Sequence, residues 1–438
     1  MAFSGGTIVE AGVYDLQIDT GFLQDAFILD ANPQGILNNT TYVLDGTTNF
    51  ASVIDNTLSI NAQRGRRDVG DQFSAGTMSF VLNDTAADGV FNPFDTLSPY
   101  YDPATAQPGL APMRKVKLSR YSATNVEEIL FSGFIVNYDY NFALGSLDTV
   151  TVYCADQFYL LAQTYMDEFN VSEQLSSDRV TAVLDLPEVA YPSGALHRDI
   201  QTGTQTLGGA AAFTIPQGTN VKAYFDQIQQ AEQGRIYMSR SGVLTFEPRI
   251  GNTLSASVAD FHDDGTNIPY SGVGITFEAD QVVNRATVTI AGSSTEQTAN
   301  DLASQAKYFI QTASITGSLL HNNTAALDLA TYLIEGEPEA RYTSVTTNLA
   351  MLTTAQRDTV AIIDIGQTIT IEKTFQSGTG TSELAQELSV EGIQHQINIG
   401  QSHTITLFTA PTLIVYEFIL NDAVYGVIGI TDPQPILG

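Results

Sequence analysis

Histidines are the first residues to consider for catalysis or metal binding, because histidine is the usual proton carrier and metal ligand near neutral pH. The 438-residue chain has five of them, His197, His262, His321, His395 and His403. None stands in an HExxH pattern or at another zinc-ligand spacing, and neither a GxSxG nor a GxxxxGK[ST] sequence occurs. His395 and His403 lie at or beside strand-like sequence, which favours a structural role. The sequence therefore predicts no catalytic residue, no metal site and no cofactor.

Cysteine and aspartate offer little more chemistry. Cys154 is the single cysteine, so a disulfide within the chain is impossible. Its place in the strand-like sequence TVTVYCA predicts a small buried hydrophobic side chain. Two Asp/Gly loops, 84–89 and 260–265, have carboxylates suited to calcium, but neither follows the EF-hand pattern. Because Asp and Gly also form turns, we favour the turn interpretation.

The few basic residues fall into two groups. One consists of Arg64, Arg66 and Arg67, and the other of Arg114, Lys115, Lys117 and Arg120. The chain has 18 basic and 48 acidic residues and a net charge of −30. Clustered arginines in such a chain are natural partners for acidic patches on neighbouring copies. We therefore predict that Arg64, Arg66 and Arg67 lie at a subunit contact.

Charge and hydropathy exclude several classes of function. A net charge of −30 repels phosphate and anionic lipid, which argues against a specific nucleic-acid site and against membrane binding. Only 15% of residues are charged, compared with roughly 25% in typical soluble domains. Much of the surface must then consist of Thr, Ser, Asn and Gln, which suits contact with other subunits. The N-terminus has no secretory-signal pattern, and the apolar runs are too short to span a bilayer.

Short alternating or β-branched segments dominate the chain and predict strands. They lie at Phe73–Leu82, Lys115–Tyr121, Ile129–Tyr138, Thr149–Cys154, Gly274–Glu278, Asn284–Ala291, Thr343–Leu349, Gln367–Lys373, Leu388–Ile393 and His403–Phe408. Helical periodicity predicts helices at Asp156–Tyr165, Ser177–Leu186, Asn220–Gln233, Ala299–Ile310, Asn323–Ile334 and Thr353–Val360. The predicted fold class is mainly β with α+β insertions. It comprises two antiparallel β-barrel or sandwich domains, a small α/β domain and extended terminal arms.

Changes of pattern divide the chain into five parts. Residues 1–40 are predicted to form an N-terminal arm, and residues 41–165 a first barrel-like β-domain. Residues 166–250 form a small α/β domain. Residues 251–410 form a second β-domain with a helical insertion near 296–336, and residues 411–438 form a C-terminal docking arm.

The two arms share a short pattern. Phe27-Ile-Leu-Asp is followed by Gly35, and Phe418-Ile-Leu-Asn is followed by Gly426 at the same spacing. Two unrelated hairpins would give the same pattern. The alternative, which we favour, is one docking element used at both ends, with Phe27 and Phe418 as anchors on another chain.

A family resemblance lies in the order of several short motifs. They are 42–50 (YVLDGTTNF), 64–67 (RGRR), 71–77 (DQFSAGT), 90–93 (VFNP), 98–100 (SPY), 112–114 (PMR), 129–134 (ILFSGF), 150–156 (VTVYCAD), 243–246 (VLTF) and 390–393 (VEGI). In this order, over most of residues 41–410, the chain resembles minor tail proteins of long-tailed bacteriophages.

The resemblance implies a non-enzymatic structural protein at the distal end of the virion tail, made in the host cytoplasm. It is similar to baseplate-hub proteins, in which two barrel domains per chain let a trimer form a pseudo-sixfold ring on the hexameric tail tube. The implied partners are other copies of the chain, the tail tube or distal tail protein, the tape measure protein and other minor tail proteins. A trimer is favoured and a hexamer is the alternative.

Two other functions stay open at this stage. A receptor- or carbohydrate-binding tail protein is expected to have clustered exposed aromatic side chains, and the absence of tryptophan lowers this alternative. A tail-associated cell-wall hydrolase would need a catalytic motif, and the sequence contains none that we recognise.

Overall fold

The computed structural model describes residues 7–9, 12–22, 27, 35–36, 49–68, 71–102, 104–142, 144, 146–209, 214–249, 256–377 and 380–411. The α-helices in these ranges are α1 Gln157–Gln163, α2 Ser176–Leu184, α3 Val221–Glu232, α4 Leu302–Tyr308, α5 Asn323–Tyr332 and α6 Thr354–Ala361. The strands of the first part of the chain are β1 Thr7–Val9, β2 Gly12–Asp19, β3 Phe50–Ser52, β4 Thr57–Gly65, β5 Thr77–Asn83, β6 Tyr101–Asp102, β7 Gln107–Pro108, β8 Lys115–Tyr121, β9 Glu127–Asn141 and β10 Thr149–Ala155. Short strands follow at β11 Tyr165–Met166, β12 Phe169–Asn170, β13 Gln174–Leu175, β14 Arg198–Ile200, β15 Thr206–Leu207, β16 Thr214–Ile215, β17 Thr219–Asn220, β18 Arg235–Met238 and β19 Leu244–Glu247. The last part contains β20 Asp260–His262, β21 Gly272–Thr276, β22 Arg285–Ile290, β23 Glu296–Asn300, β24 Thr312–Ser318, β25 Arg341–Asn348, β26 Thr368–Ser377, β27 Gly380–Asn398 and β28 Ser402–Pro411.

One large sheet contains fourteen of the described strands. Its main path runs β1-β2-β8-β9-β10-β5-β4-β27-β28-β25-β21, with β3 beside β2, β26 beside β27 and β20 beside β26. The pairs along this path are antiparallel, and β20 pairs with β26 in parallel. The prediction of a mainly β, antiparallel fold is confirmed.

The two predicted β-domains are not separate sheets. Strands from residues 7–155 and from 260–411 occupy the two ends of the path, and pairing of β4 with β27 joins them. Among the described strands the path does not close into a barrel. The sequence predicts two separate domains because β4, which joins the two halves, is not recognisable as a strand. Its polar sequence TLSINAQRG lacks the β-branched composition that is typical of strands.

The sheet curls around one hydrophobic core. Strands β2 and β28 are seven steps apart along the path, which is about 34 Å in a flat sheet. The side chains of Tyr14 in β2 and His403 in β28 are nevertheless in contact. Large members of this core are Tyr14, Phe80, Phe131, Phe261 and Tyr342.

Helices α1, α2, α3 and α5 build a second core beside the sheet, whereas the buried residues of α6 belong to the first core. Phe225 of α3, Val288 of β22 and Leu329 of α5 belong to the same buried cluster, together with residues of α1 and α2. The helical insertion predicted near 296–336 therefore packs with the 166–250 region and not with the second half of the large sheet. The remaining domain boundaries stay predictions.

Part of the predicted N-terminal arm belongs to the large sheet. Gly12–Asp19 pairs with β8 along most of its length, and Tyr14, Leu16 and Ile18 are fully buried. The arm prediction is wrong for these residues, because alternate side chains of VYDLQID point into the core, as in a strand with one buried face.

Most other predicted elements are confirmed within a few residues. β8 has the predicted bounds Lys115–Tyr121. α3 begins after Asn220, whose side chain accepts a hydrogen bond from the backbone N–H of Ala223. At its other end Gln233 takes the left-handed conformation, with φ of 57°. α2 begins at Ser176, one residue before the predicted start at Ser177, and has no side-chain cap.

Candidate functional site

Arg64 is buried inside the chain. Its side chain is 3% exposed, and Nη1 lies 2.7 Å from Oδ1 of Asp364. The backbone N–H of Arg240 donates to the other oxygen of the same carboxylate at 3.0 Å. Arg64 is therefore unavailable to a neighbouring chain, and its predicted interface role is wrong. The sequence could not reveal this, because Asp364 is 300 positions away.

Arg66 also pairs within its own chain. Its Nε and Nη2 lie 2.9 Å and 2.8 Å from Oε2 of Glu391, while Nη2 of Arg235 lies 2.6 Å from Oε1 of the same residue. Glu391 is 2% exposed. Burial alone would raise the pKa of Glu391, but Arg235 and Arg66 outweigh it, so that the pKa is lowered and the carboxylate is ionised. These ion pairs connect β18 and β27 with Arg66, the residue that directly follows β4.

The backbones of β4 and β27 approach closely at this point. Gly65 has a φ of +78°, and a Cβ added to Gly392 would lie 2.2 Å from the backbone oxygen of Arg66. The register of β27 against β28 shifts between Val390 and Gly392. Such a bulge redirects the intervening side chain, here Glu391, towards the arginines.

Arg67 is the predicted interface arginine that remains exposed. Its Nη2 donates to Oε1 of Gln63 at 2.7 Å, and its guanidinium lies 5.5 Å from the ring centre of Phe408. In the second basic group, Arg120 is 3% exposed and pairs with Glu128 at 3.3 Å and Asp358 at 2.7 Å. Most residues of the two basic groups therefore form ion pairs within the chain and stabilise the fold. Of Arg64, Arg66 and Arg67, only Arg67 stays a predicted subunit contact.

The predicted docking anchors are mostly beyond what the structure describes. Phe27 is half-buried and lies outside strands and helices, and Ile36 is 52% exposed. Phe418 and the rest of both repeats lie outside the described residues.

A cavity of about 490 Å³ opens where the large sheet meets the helical core. Arg66, Arg235 and Glu391 contribute to its wall, and so do Arg249, Tyr332 and Pro411. The guanidinium of Arg249 lies 4.3 Å from the ring centre of Tyr332. The sequence does not predict this site, because Arg235 and Arg249 are isolated along the chain and far from Arg66, and Glu391 is marked only as part of a resemblance motif.

The outer face of the central strands is polar and uncharged. Alternate residues of β4, β5, β27 and β28 point away from the core. They include Ser59, Asn61, Gln63, Thr77, Ser79, Gln394, Gln396, Asn398, Ser402, Thr404 and Thr406. We call these residues the neutral face. In a chain with a net charge of −30, it is a surface that like-charged copies can approach without strong repulsion.

Exposed apolar side chains mark the far end of the β9–β10 hairpin. Phe142 is 57%, Leu144 108% and Leu147 50% exposed. Phe94 and Leu97, in a neighbouring loop, are 86% and 87% exposed. This loop begins beside the hairpin, because the backbone N–H of Asp84 donates to the backbone oxygen of Asp148 at 2.9 Å. Such large apolar side chains typically mark a contact surface.

Three of the residues considered for chemistry, Cys154, His395 and His403, are buried in the described chain. Cys154 is 3% exposed, as predicted, and burial raises the pKa of its thiol. His395 and His403 are buried in the core of the sheet, also as predicted. The described residues contain no group of three or more His, Cys, Asp or Glu placed to hold a metal ion. No helix within the described ranges is long and apolar enough to cross a membrane.

Comparison with known proteins reveals a shared fold. No protein-family model and no curated protein sequence matches the chain. The structure of the tail protein from Neisseria meningitidis aligns with a TM-score of 0.53 and 12% identity, covering 83% of this chain and 94% of that one. The 43 kDa tail protein of prophage MuSo2 from Shewanella oneidensis aligns with a TM-score of 0.51 and 10% identity, covering 83% and 95%. This chain therefore has the fold of these two phage tail proteins, in agreement with the resemblance in its sequence motifs.

Proposed function

We propose that the chain is a structural component of a bacteriophage tail tip, a hub-like ring protein that joins the tail tube to distal host-contact proteins. The observation that carries this proposal is the shared fold, which extends over 83% of the chain and nearly the whole of two tail proteins. A fold by itself does not determine a function. The order of the sequence motifs and the surfaces described above add independent support.

The two halves of the large sheet suit a ring. In a trimer, the half built from residues 7–155 and the half built from 260–411 would alternate and give six similar positions around the axis. The buried pairs of Arg64 with Asp364 and of Arg66 with Glu391 lie at the junction of the halves. They would keep the two halves in a constant relative position. A hexamer is the alternative form of the ring.

Three surfaces would make the contacts between copies. The neutral face allows close approach, Arg67 supplies an exposed positive charge, and the two arms, with Phe27 and Phe418, would dock on neighbouring chains. The exposed apolar end of the β9–β10 hairpin would bind another tail component: the tail tube or distal tail protein, the tape measure protein or another minor tail protein. The protein would then lie at the distal end of the virion tail.

Imaging and mass measurement of the purified full-length chain test the proposal. A ring of three or six copies is the expected result, and a monomer at every concentration, together with its absence from purified tails, would reject it. The alternative, a receptor- or carbohydrate-binding tail protein, would be favoured by isolated copies on the side of the tail that bind host-surface glycans.

A further inference from the structure

His262, the last residue of β20, lies among three carboxylates. Its Nδ1 is 3.0 Å from Oδ2 of Asp264, and its Nε2 is 3.4 Å from Oε1 of Glu372 and 3.7 Å from Oδ1 of Asp263. The side chain is 13% exposed, and Nε2 is buried without a well-aligned hydrogen bond to any described residue. The Asp/Gly loop that begins at Asp260 thus surrounds one titratable ring with negative charge.

The atoms around the ring decide which of its nitrogens carries a proton. An ionised carboxylate can only accept a hydrogen bond, so Nδ1 of His262 must be protonated where it contacts Asp264. An unprotonated Nε2 would then bring its lone pair close to the oxygens of Glu372 and Asp263, with little water between them. A proton on Nε2 turns this repulsion into attraction. The geometry therefore favours the doubly protonated, positively charged ring.

Two of the three carboxylates are kept ionised by their neighbours. Asp263 accepts a hydrogen bond from Nζ of Lys373 at 2.6 Å and another from the backbone N–H of Thr374 at 3.1 Å. The bond from Lys373 contributes most to lowering the pKa of Asp263 to about 2. Asp264 accepts from the backbone N–H of Thr266 at 2.8 Å, and hydrogen bonds from Thr266 lower its pKa. Both carboxylates are negative near neutral pH, so they attract the ring when it is protonated.

The groups that face this cluster from other elements are paired, neutral or acidic. Lys373 of β26 is paired with Asp263. Tyr270, whose hydroxyl donates to the backbone of β26 at 3.3 Å, keeps its proton because burial raises its pKa. From α6 the uncharged Gln356 donates to the backbone of the loop at 3.2 Å. Asp260, exposed on the same strand as the ring, adds negative charge.

Protonation of the ring reduces an excess of negative charge. Three carboxylates and one ammonium group leave two uncompensated negative charges, and a positive His262 leaves one. Burial alone would lower the pKa of His262, but Asp264, Glu372 and Asp263 outweigh burial and raise the pKa above its usual value of 6.5.

His262 also joins two strands at an edge of the large sheet. β20 runs parallel to β26, with His262 directly opposite Glu372. Asp263 follows and accepts from the backbone N–H of Thr374. Residues 260–263 therefore cover one edge of β26, while β27 pairs along the other edge. An uncovered strand edge presents free backbone groups that can pair with another chain.

We propose that His262 is a pH-dependent link between β20 and β26. With both nitrogens protonated, it holds residues 260–268 against the edge of β26, and loss of one proton weakens this contact and uncovers the edge. The stabilisation is complete below pH 6.5 and is lost as the pH rises through the raised pKa of the folded chain. Access to this edge of the sheet then depends on pH. The inference goes beyond the proposed ring and does not depend on it.

NMR of the full-length chain with ¹³C-labelled histidine measures the titration without a mutation. The signal that disappears in His262→Gln identifies His262 among the five histidines. We expect its midpoint above pH 6.5. Glu372→Gln should lower the midpoint, because it removes one neighbouring negative charge. Glu296→Gln, exposed on β23 in a different sheet, is the matched control and should leave the midpoint unchanged. A midpoint at or below 6.5, or equal midpoints in the two variants, would overturn the inference.

Hydrogen exchange measures the release of the edge. The backbone N–H groups of His262 and Thr374 donate to Ile268 and Asp263. Between pH 6.5 and the midpoint found by NMR, their protection, corrected for the intrinsic exchange rate, should fall by up to about tenfold per pH unit, the limit for one proton. Peptides from β8 should keep their protection. Local exchange is the suitable readout, because the stability of the whole chain also depends on other titrating groups.

The variant without the ring shows whether His262 is responsible. In His262→Gln, the same N–H groups should be weakly protected at both ends of this pH range, with no step between them. Constant protection in the unaltered chain, or an undiminished pH dependence in His262→Gln, would show that the ring does not control the edge of β26 and would reject the proposed link.

Discussion

The hydroxyl of Tyr14 lies 2.6 Å from Nδ1 of His403, although their strands are seven steps apart in the sheet. Burial raises the pKa of Tyr14, so the phenol keeps its proton and donates to His403. Nε2 of His403 then carries a proton and donates to Nδ1 of His395 at 3.1 Å. This buried chain of hydrogen bonds connects β2 with β27 and β28, and thus holds the two halves of the sheet in their curled arrangement.

Tyr14→Phe should destabilise the protein by about 1–3 kcal/mol, because it leaves Nδ1 of His403 buried without a donor. Urea unfolding measures this loss. Tyr165→Phe is the matched control, because Tyr165 is 60% exposed. This substitution should change the free energy of unfolding by no more than about 0.5 kcal/mol relative to the unaltered chain. Equal stability of the two variants would show that the buried hydrogen bond is unimportant for the fold.

The two buried histidines should make the protein sensitive to acid. Burial, reinforced by Arg64 and Arg240, lowers the pKa of His395 to about 3, and burial next to His395 and Arg120 lowers the pKa of His403 well below its usual value of 6.5. In the unfolded chain both take up protons as the pH falls through 6.5, and in the folded chain they do not. The free energy of unfolding should therefore decrease with acidification by up to about 1.4 kcal/mol per histidine and pH unit.

Urea unfolding between about pH 7 and pH 5 measures this slope, in a range where most carboxylates of the unfolded chain are still ionised. Asp156 acts in the opposite direction, because burial raises its pKa to about 7. Replacing both histidines by glutamine should lower the stability at pH 7 and remove their contribution to the pH dependence, so that the slope shifts in the opposite direction, which is the direction set by the unchanged Asp156. An unchanged slope in the double variant would contradict this explanation.

Glu391→Gln should be strongly destabilising, by about 3 kcal/mol, because Arg66 and Arg235 lose the charge of their shared buried carboxylate. Glu337→Gln is the matched control. Its pair with Lys307 has side chains that are 69% and 57% exposed, and exposed pairs contribute at most about 1 kcal/mol. Thermal unfolding distinguishes the two, and a Glu391→Gln protein as stable as the control would show that the junction of β4 and β27 does not depend on this ion-pair network.

Much of the secondary structure is predictable from the sequence, whereas the pairing of distant segments is not. β8 and α3 have clear local signals, an alternating apolar pattern and an asparagine cap. β4 has no such signal, and without it the two halves of the sheet cannot be connected. Likewise, the cluster of Arg64, Arg66 and Arg67 is visible in the sequence, but its carboxylate partners are about 300 residues away. A local pattern shows that charge is concentrated, and only the fold shows that most of it is already neutralised.

The neutral face should tolerate charge in the monomer but not in the assembly. Gln396 is exposed on β27. Gln396→Glu should change the free energy of unfolding by no more than about 0.5 kcal/mol relative to the unaltered chain. Between copies of an acidic chain, the added charge should weaken association, and the effect should shrink at high salt because charges are screened. Gln227→Glu, on the exposed side of α3, is the control. Equal ring yields for both variants would remove the neutral face from the proposed contacts.

Deletion of residues 412–438 should leave the described fold intact, because the buried residues described in both hydrophobic cores all precede residue 412. The truncated chain should unfold with the same cooperativity as the full chain and yet fail to assemble. Phage production by complementation measures the second effect. Infectious tails built from the truncated chain would show that the C-terminal arm is not needed for docking.

A reconstruction of the intact tail tests the central claim most directly. The account predicts a closed ring of this chain at the distal end of the tail, most simply a trimer, with the two halves of each large sheet at alternating positions around the axis. Isolated single copies on the side of the tail, or a tail that lacks the chain altogether, would contradict it.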